Sequence, residues 1–488
     1  MKESSAVRRN AMFLIAVLIG AGLLGRTAPA QERTDQIAVP AGVHPFVDGL
    51  YLAELHELDH VLHPPVPQNV ALVLDRPWEG PQSGYGTVLR DPASGEFRLY
   101  YRGGGDVTTR EVTCVAVSED GINWRRSELS IVSFDGATTT NIVWTAREFA
   151  YGESHNFAPF VDTNPACAPD ARYKAVGIMK GLDEQGERRV MLGALASPDG
   201  LHWRRLSEEP VLRHGAFDSL NTAFWDPTLG RYVCYFRVPR NGLRSFARAT
   251  SPDFLNWSAP EELEFRPQQT EHYYTNGITL YPRTPGLYLA FPMRFVPQRT
   301  AIGRPPRTID GTSDAVFLTS RDGRRWTRTF REAFIRPGLN PANWGDAHGN
   351  NTPLNGLLET APDELSIFWF DNCADVPSIR RGTLRLDGFA SLRAGADEGE
   401  AITTPLKIEG TRLSLNLATS AVGYVKVECL DAAGRPVPGW QLAECEEIFG
   451  DEIERPVVWK GGDVLPAVRP LRLRFVLRDA DLYAFTVK

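Results

Sequence analysis

Apolar residues in this chain occur in short runs of strand length that are separated by turn residues. Typical runs are TCVAV at 113–117, VMLGAL at 190–195 and AVFLT at 315–319. Runs of this length, rich in β-branched residues and bounded by Gly, Pro, Asn or Asp, are typical of β-strands. No long stretch shows the period of three to four residues that marks an amphipathic helix. The pattern therefore predicts an all-β protein.

A seven-residue phrase recurs at the ends of four such runs. Its copies are SEDGINW at 118–124, SPDGLHW at 197–203, SPDFLNW at 251–257 and SRDGRRW at 320–326. The Asp-Gly pair supplies a tight turn with one residue at positive φ, and the Trp then begins the returning strand. Each copy is therefore predicted to form the corner of a β-hairpin. Phe254 replaces the Gly in the third copy, so we expect that turn to differ in detail.

A second repeated phrase lies upstream of the corners and supplies the earlier strands of each unit. It consists of one strand-like run, a turn and a second run, and its copies begin at Gly86, Ala158, Thr222, Gly277 and Asn355. Repetition of a four-stranded unit at this scale is typical of a β-propeller. The five copies predict a five-bladed β-propeller domain over residues 31–387.

The repeated phrases stop at a segment rich in Gly, Ala and acidic residues, GFASLRAGADEGE at 388–400. Strand-like runs then resume, among them RLSLNL at 412–417, YVKVEC at 424–429 and LRLRFVL at 471–477. Alternating runs joined by short turns over about a hundred residues are typical of two packed sheets. Residues 388–488 are therefore predicted to form a β-sandwich domain.

The first thirty residues have the organisation of an export signal. Arg8 and Arg9 precede an apolar run from Ala11 to Leu24, and Ala28-Pro29-Ala30 matches a small-x-small cleavage site. Residues 1–30 are thus predicted to be a signal peptide. The mature chain would begin at Gln31, be secreted to the periplasm or the exterior, and have no membrane association after cleavage.

Composition limits the partners and the metal chemistry. The formal net charge of −7 argues against a nucleic-acid partner. The six cysteines show no CxxC metal pattern. Cys114 and Cys234 lie in strand-like runs and are expected to be buried apolar residues. Cys429 and Cys445 form the best candidate for a disulfide. The sequence leaves the oligomeric state open.

A propeller followed by a sandwich resembles the five-bladed glycoside hydrolases of families 32, 43 and 68, over roughly residues 45 to 488, and the sandwich most resembles family 32. The family 32 nucleophile phrase WMNDPNG is absent, and Glu428-Cys429 and Glu444-Cys445, which spell its acid pair, lie in the sandwich. Asn156-Phe157-Ala158-Pro159 resembles the Trp-Ala-Pro phrase of family 43, with Phe160 where that family has Asp. The resemblance implies a secreted glycosidase acting on a poly- or oligosaccharide.

One motif match is interpreted as structural. Arg90-Asp91-Pro92 spells the RDP phrase of family 32, but it ends a strand and leads into a turn, as Asp226-Pro227 does. Asp at the start of a turn bonds the turn backbone. Asp91 and Asp226 are therefore predicted to be turn residues.

Polar residues cluster just before the innermost strand of each predicted blade. Innermost strands of a propeller begin around one mouth of the central channel, so these residues are expected to face each other. Glycoside hydrolysis needs one carboxylic acid to protonate the leaving oxygen and one carboxylate to attack carbon or activate water. The predicted catalytic residues are Asp218, Glu271 and Glu153. The predicted substrate-binding residues are His155, Asn156, Asn221, His272, Tyr274, Asn276, Asp346, His348, Asn350, Arg237 and Arg294.

Each of these assignments has a structural alternative. Asp and Asn also cap turns, and Arg237 and Arg294 could pair with the acids at the mouth or form ion pairs at blade edges. Two functional alternatives stay open: a non-catalytic carbohydrate-binding propeller, and a sialidase-like enzyme, because SxDGxxW resembles the Asp-box. The predicted five blades and the lack of an evident arginine triad weigh against the sialidase.

No cofactor is predicted, and carbohydrate is the expected partner. His155, His272, His348 and Asp346 could surround a metal ion on the channel axis, but their spacing is not diagnostic. The sequence identifies neither the sugar nor the linkage, and it does not distinguish retention from inversion.

Overall fold

The computed structural model of the protein describes residues 36–80, 83–104, 111–145, 154–183, 185–300, 302, 311–345 and 349–488. The predicted signal peptide, residues 1–30, lies outside the described residues. The helices in the described part are two short 3-10 turns, Pro169–Ala171 and Pro341–Trp344, and the regular structure is otherwise strand. Neither helix is long and apolar enough to cross a membrane. The prediction of an all-β fold is confirmed.

Thirty-five strands are numbered in chain order within these residues. The N-terminal strands are β1 (Ile37–Val39), β2 (Gly42–Pro45), β3 (Leu52–His56), β4 (Asp59–Leu62) and β5 (Val66–Val73). The first two repeats contain β6 (Gly84–Arg90), β7 (Phe97–Gly103), β8 (Val112–Ser118), β9 (Arg125–Arg126), β10 (Ile142–Thr145), β11 (Ala158–Val161), β12 (Tyr173–Leu182), β13 (Arg188–Ser197) and β14 (Arg204–Arg205). The third contains β15 (Thr222–Asp226), β16 (Arg231–Arg240), β17 (Leu243–Ser251) and β18 (Glu261–Glu262).

The fourth repeat contains β19 (Glu264–Arg266), β20 (His272–Tyr273), β21 (Ile278–Leu280), β22 (Tyr288–Ala290), β23 (Met293–Val296), β24 (Thr312–Ala315), β25 (Leu318–Ser320) and β26 (Arg325–Thr327). The fifth contains β27 (Leu358–Ala361), β28 (Glu364–Asp371) and β29 (Ser378–Arg385). The C-terminal strands are β30 (Ala390–Ala394), β31 (Gly399–Thr403), β32 (Leu406–Ile408), β33 (Leu413–Leu430), β34 (Asp451–Pro456) and β35 (Arg472–Val487).

The repeats form antiparallel sheets in chain order, as a propeller requires. The sheet orders are β10-β8-β7-β6 with β9 on β8, then β11 to β14, then β15 to β18, and finally β27-β28-β29-β5. The last sheet takes its outer strand, β5, from the N-terminal side of the chain, so the two ends of the repeat array are joined in one sheet. The fourth repeat is divided into two sheets, β19-β26-β25-β22-β21 and β20-β23-β24. The number of blades therefore stays a prediction.

The four corners share the hydrogen bonds from the turn backbone to the Asp carboxylate, and three of them also share a bond from the Trp indole. In the first copy the Asp120 carboxylate accepts hydrogen bonds from the backbone N–H groups of Ile122 and Asn123, both at 2.8 Å. The Trp124 indole donates to the Gly121 carbonyl at 3.2 Å, and Gly121 has a φ of 72°. These bonds satisfy the turn backbone and lower the pKa of Asp120, against the opposing effect of burial. The predicted hairpin corner with a residue at positive φ is confirmed.

The third corner keeps the turn of the Gly copies but lacks one hydrogen bond, as its sequence suggests. Phe254 has a φ of 69°, and the Trp257 indole donates to its carbonyl at 3.0 Å. In the Gly copies the corner Ser Oγ accepts from the Gly N–H, whereas the described contacts of Ser251 Oγ include the N–H of Asp253 and not that of Phe254. The hydroxyl of Tyr100 donates to the Gly200 carbonyl in the second corner, and that of Tyr235 donates to the Gly323 carbonyl in the fourth. The equivalent strand position before the third corner is occupied by Val176, which has no hydroxyl. The Phe254 ring packs in the core that contains Val176. Burial of this ring compensates the strained backbone.

Adjacent repeats are joined by buried carboxylate–tyrosine contacts. Asp226 accepts a hydrogen bond from the Tyr288 hydroxyl of the next repeat and also one from the backbone of Thr228 at 2.8 Å. Asp162 accepts from the Tyr232 hydroxyl at 2.7 Å in the same manner. Asp91 accepts from the Ala93 backbone at 2.9 Å. The predicted turn role of Asp91 and Asp226 is confirmed, and Asp226 additionally links two repeats.

The C-terminal domain is built around two long strands. β33 and β35 pair along most of their length, with register shifts that bend them, and β30, β31, β34 and the N-terminal β2, β3 and β4 complete one eight-stranded sheet around a single apolar core. The sequence assigned all residues from 31 to 387 to the propeller, whereas β2 to β4 pair with C-terminal strands. Alternation within a short strand does not indicate its distant partner. The boundary at residue 388 stays a prediction.

The cysteines in this domain are not bonded to each other. All six cysteines of the chain are free thiols, so the predicted bridge between Cys429 and Cys445 is wrong. The Cys445 sulfur accepts a hydrogen bond from the Val427 backbone and donates one to the Glu446 carbonyl, both at 3.3 Å. Burial raises the pKa of the Cys429 thiol to about 12. Cys114 and Cys234 are fully buried, as predicted.

Candidate active site

The starts of the innermost strands meet in one apolar cluster. Its buried members are Tyr85, Ala158, Leu220, Tyr274, Met293 and Phe295, which come from four successive repeats. Because these residues flank the predicted polar positions, the cluster provides the floor on which the candidate site is built. We call the polar groups above it the mouth.

Among the described carboxylates of the mouth, that of Asp218 is the most exposed. Its side chain is 54 % exposed and forms an ion pair with the buried guanidinium of Arg237, which is one of the two alternatives that the sequence left open for this arginine. That guanidinium lies 5.1 Å from the centroid of the Tyr274 ring. The Ser219 hydroxyl donates to the Tyr274 carbonyl at 2.7 Å, which fixes the neighbouring backbone. Asp218 is thus oriented by a held arginine while its carboxylate stays in contact with solvent.

Arg102 occupies the position in the first repeat that Arg237 occupies in the third. In the first repeat Phe97 pairs with the corner residue Ser118, and Arg102 follows Phe97 by five residues. In the third repeat Tyr232 pairs with Ser251 in the same way, and Arg237 follows Tyr232 by five residues. Arg102 is also buried, and its guanidinium lies 4.9 Å from the centroid of the Tyr85 ring. The repeat therefore brings two equivalent arginine–tyrosine pairs to the mouth.

Tyr85 has an unusual backbone conformation. Its φ is 45°, which a bulky side chain rarely adopts, and the register between β6 and β7 shifts at this residue. A bulge of this kind redirects a side chain and is common beside functional sites. Burial raises the pKa of Tyr85, and the charges of Arg102, Arg237 and Asp218 all act on it. These groups therefore lie in one electrostatic environment.

His155 and Glu111 form a buried pair beside Arg102. The His155 Nδ1 lies 2.8 Å from one Glu111 oxygen and 3.0 Å from the other. A carboxylate only accepts, so Nδ1 carries the proton and Nε2 carries the lone pair when the ring is neutral. Arg102 donates to the Asn156 amide oxygen at 2.8 Å. The amide nitrogen of Asn156 is buried, and no described group accepts from it.

The electrostatics of this pair favour a neutral imidazole near pH 7. Burial lowers the pKa of His155 from 6.5, with a further lowering by Arg102, against the opposing effect of Glu111. Burial would raise the pKa of Glu111, but the hydrogen bond from His155 and the charge of Arg102 outweigh it, so the pKa is lowered. The pair thus contains an ionised carboxylate and an imidazole able to accept a proton.

Arg244 is the third arginine at the mouth. Its guanidinium lies 5.0 Å from the Tyr274 centroid and 5.4 Å from the Phe295 centroid. Its backbone N–H donates to His272 Nδ1 at 3.2 Å. Burial and the charge of Arg244 lower the pKa of His272. The predicted residues His272 and Tyr274 are thus both in contact with Arg244.

Glu271 lies in a separate ion-pair network. One carboxylate oxygen accepts from Arg294 at 2.8 Å and the other from Arg328, and Arg294 also bonds Asp314 at 2.8 Å. The predicted pairing of Arg294 with an acid is therefore present. Glu271 directly precedes β20, and its partner Arg294 is paired with Tyr273 across β20 and β23. Both oxygens of Glu271 are occupied by guanidinium donors.

Three of the predicted asparagines hold backbone rather than face the mouth. The Asn221 amide donates to the Phe217 and Ser219 carbonyls, at 2.8 and 3.0 Å. Asn276 donates to the Leu220 carbonyl at 2.7 Å and accepts from Thr222 and Ile278. Asn350 donates to the Ala342 and Gly345 carbonyls and accepts from the Cys373 backbone. These contacts match the turn-capping alternative.

Three predicted residues, Glu153, Asp346 and His348, lie outside the described residues. In the described part of the chain, no group of three or more His, Cys, Asp or Glu side chains is arranged to hold a metal ion. The proposed axial metal involves both Asp346 and His348. The prediction that no cofactor is needed is thus untested.

A cavity of about 580 Å³ opens beside Asp218. Its walls include Met191 and Phe217, and its polar lining includes Arg189 and Arg213. A cavity of this size lies within the range of small-molecule sites, and the mixture of apolar walls with a few polar groups is typical of them. Asp218 therefore lies at the junction between the mouth and a space large enough for sugar residues.

The sequence did not identify Tyr85, Arg102, Glu111 or Arg244 as site residues. Arg102 could have been identified, because aligning the copies of the second repeated phrase places Arg102 at the same position as Arg237, which was predicted to bind substrate. Tyr85 stands between two glycines, a local sequence compatible with an irregular strand. Glu111 and Arg244 approach the mouth from β8 and β17, and only the fold indicates their position.

Comparison with known proteins does not assign the chain to a family. No protein-family model and no curated protein matches it. One similar solved structure is titled glycoside hydrolase, with 16 % identity and a TM-score of 0.44, covering 66 % of this chain and 92 % of that chain. An N-acetylgalactosamine deacetylase from F. plautii, in complex with blood group B trisaccharide, has 13 % identity and a TM-score of 0.43, covering 70 % and 96 %. An exo-inulinase from Aspergillus awamori has 12 % identity and a TM-score of 0.40, covering 86 % and 98 %.

Proposed function

We propose that this protein is a glycoside hydrolase whose reaction takes place at the mouth of the propeller. The observation that carries the proposal is the environment of Asp218. An exposed carboxylate is paired with a buried arginine, beside a cavity of about 580 Å³, and groups able to exchange protons lie nearby. Hydrolysis of a glycosidic bond requires this combination of an oriented carboxylate and a proton-transfer partner.

Asp218 is proposed to attack the anomeric carbon or to activate water. The ion pair with Arg237 orients the carboxylate, and the exposed side chain leaves an oxygen accessible to substrate. Arg237 is itself held against the Tyr274 ring. Pre-organisation of this type reduces the reorganisation that the reaction requires.

The acid that protonates the leaving group is proposed to be Glu153 or Glu271. Both oxygens of Glu271 accept hydrogen bonds from guanidinium groups, which leaves no carboxyl O–H directed toward a substrate. This arrangement favours Glu153 as the acid and Glu271 as a residue that positions Arg294. Replacing each glutamate separately by Gln distinguishes the two assignments.

His155 and Glu111 offer a second route for proton transfer. Glu111 fixes the tautomer that leaves the lone pair on Nε2, and the lowered pKa keeps the imidazole neutral near pH 7. In this state His155 is suited to accept a proton from water or a sugar hydroxyl. We propose that it assists Asp218 rather than replaces the acid.

A sialidase-like reaction is the second candidate function. Three arginines, Arg102, Arg237 and Arg244, lie around two tyrosines at the mouth, whereas the sequence had shown no evident arginine triad. Sialidases use a tyrosine nucleophile in place of one carboxylate. Tyr85, whose ring lies against the Arg102 guanidinium, would be the candidate nucleophile; because burial raises its pKa, this reaction would also require a base that takes the phenolic proton.

The central test replaces Asp218 by Asn and screens the purified mature protein against neutral and acidic oligosaccharides and aryl glycosides. The parent should release sugar from at least one substrate, and Asp218→Asn should lose at least about a thousand-fold in kcat/KM with unchanged thermal unfolding. Asp170→Asn is the matched control, because Asp170 pairs with Arg204 on the exposed surface. A parent that binds glycans and cleaves none would establish the non-catalytic binding alternative.

We also propose that the mature protein begins at Gln31 and is exported as a soluble protein. The Arg8-Arg9 pair, the apolar run and the Ala28-Pro29-Ala30 site support this. Mass spectrometry of the protein recovered from the periplasm or medium checks it. Retention of Met1 to Ala30 would contradict the proposal.

A further inference from the structure

Arg244 differs from the other arginines of the mouth in its ion pairing. Arg237 is paired with Asp218, and Arg102 lies beside Glu111, whose pKa its charge lowers. Among the described residues no carboxylate lies within ion-pair distance of the Arg244 guanidinium, although the chain forms many such pairs elsewhere. The contacts of this guanidinium are with two aromatic rings, Tyr274 and Phe295.

The aromatic contacts restrict how this cation can be neutralised. A guanidinium stacked on a ring keeps its N–H groups in the guanidinium plane, where they are directed past the ring edge. That fork fits two oxygens of a carboxylate or sulfate. Arg244 is partly exposed, so a ligand can reach this edge. The two ring contacts thus hold this guanidinium in place, and no described residue forms an ion pair with it.

The charges around Arg244 favour an anion. The three arginines face two described carboxylates, Glu111 and Asp218, and the lowered pKa of His155 keeps that ring neutral near pH 7. Among the described groups of the mouth one positive charge remains, and it belongs to Arg244, which has no carboxylate partner among these groups. Holding a cation partly out of water without a counter-ion is costly, and a bound anion removes the cost.

We propose that the sugar bound at this mouth carries an anionic group, a carboxylate or a sulfate, and that Arg244 determines this specificity. The inference rests on the proposed carbohydrate-binding function of the same site. It adds the class of substrate, an acidic pyranose, and the residue that recognises it. Tyr274 and Phe295 act by holding the guanidinium, and the orientation of Arg237 across the Tyr274 ring adds positive potential.

The test compares binding of matched neutral and acidic probes by calorimetry. The pairs are galactotriose with tri-galacturonate, lactose with sialyllactose, and galactobiose with its 6-sulfated form. The mature Asp218→Asn protein is used in parallel with the parent, so that turnover does not obscure binding. At least one acidic probe should bind about ten-fold or more tightly than its neutral twin. The pair that responds distinguishes a planar carboxylate from a tetrahedral sulfate.

Arg244→Met should remove the preference for the acidic probe while leaving the affinity for the neutral twin within about two-fold, and Arg244→Lys should retain part of the preference. Arg204→Met is the control, because Arg204 is an exposed arginine paired with Asp170. Equal affinity for both twins, a preference that survives Arg244→Met, or no binding of any acidic probe would each overturn the inference. Cleavage of a neutral glycan in any of these cases would leave the proposed hydrolysis standing.

Discussion

His44 connects the N-terminal segment to the C-terminal sheet, and its titration should control stability in acid. The residue is 3 % exposed and its ring stacks on Phe485 at 5.0 Å. Its Nε2 lies 2.9 Å from the Pro40 carbonyl and its Nδ1 lies 2.9 Å from the Tyr51 hydroxyl. Nε2–H therefore donates to the carbonyl and Nδ1 accepts from the tyrosine. This neutral tautomer satisfies both contacts without a second proton.

Burial lowers the pKa of His44 from 6.5 to about 4, with the Arg321 charge adding to the effect and the Pro40 hydrogen bond opposing it. Above pH 6.5 the ring is neutral in both the folded and unfolded chain, so titration has no effect. Below pH 6.5 the unfolded chain binds a proton and the folded chain does not, so stability falls until the pH passes the folded pKa. Near pH 4.5 the loss from this one group amounts to about 2.5 kcal/mol.

The measurement is urea unfolding at about pH 7 and pH 4.5 for the parent and His44→Gln. Other groups titrate in both proteins, so the difference between their acid losses isolates His44. His44→Gln should lose about 2.5 kcal/mol less on acidification than the parent. His56→Gln is the control, because the His56 side chain is 58 % exposed. Equal acid losses in parent and His44→Gln, or an NMR titration of His44 near 6.5, would refute the reasoning.

Two further predictions concern the corner turns and the proton-transfer pair. Phe254→Gly removes the strain of a positive φ, worth about 1 kcal/mol, but also deletes a buried ring that contributes about 3 to 5 kcal/mol. The free energy of unfolding measured in urea should therefore fall by roughly 2 to 4 kcal/mol. A variant as stable as the parent would show that the ring contributes no packing. In a pH–rate profile of the active protein, kcat/KM should fall on acidification with a midpoint below pH 6.5, because protonation removes the basic lone pair of His155 Nε2. A midpoint at or above pH 6.5 would show that His155 is not the group responsible.

The repeated part of the fold was predictable because each copy carries its own local chemistry. Asp120 and its equivalents bond the turn backbone within three residues, so the same phrase specifies the same corner wherever it occurs. The expected difference of the Phe254 turn is confirmed in one hydrogen bond, but the reason why Phe254 adopts a positive φ is not local. The space that its ring fills is created by Val176 in the preceding repeat. Sequence spacing does not show this complementarity.

The candidate site was predictable only in part, for a related reason. Strand starts could be located from the repeats, which led to Asp218, His155 and Tyr274. The direction of each side chain depends on strand register and local contacts, which the spacing does not show. The neighbours Glu271 and His272 contact different groups: Glu271 is paired with Arg294 and Arg328, and His272 accepts from the Arg244 backbone. Pairings between distant segments, such as β2 to β4 with C-terminal strands, depend on the closed ring and leave no local signal.

One strand position carries an arginine of the mouth in two repeats and an apolar residue in two others. Arg102 and Arg237 occupy this position in the first and third repeats, and Ile178 and Met293 occupy it in the second and fourth. Met293 packs in the apolar floor and Ile178 in the core between repeats. In the first three repeats this position lies within one continuous strand, whereas in the fourth β22 ends at Ala290 and Met293 begins β23 in another sheet. Since the continuous strands carry either Arg or Ile at this position, the fold itself does not select the charge. Because a buried arginine is costly without neighbouring carboxylates or rings, each charged copy is accompanied by its own partners, Tyr85 and Glu111 for Arg102, and Tyr274 and Asp218 for Arg237. The repeats that carry an arginine at this position therefore differ from the others at several residues at once, the arginine and its partners. Folding does not require this combination of residues, and binding of a ligand explains it better.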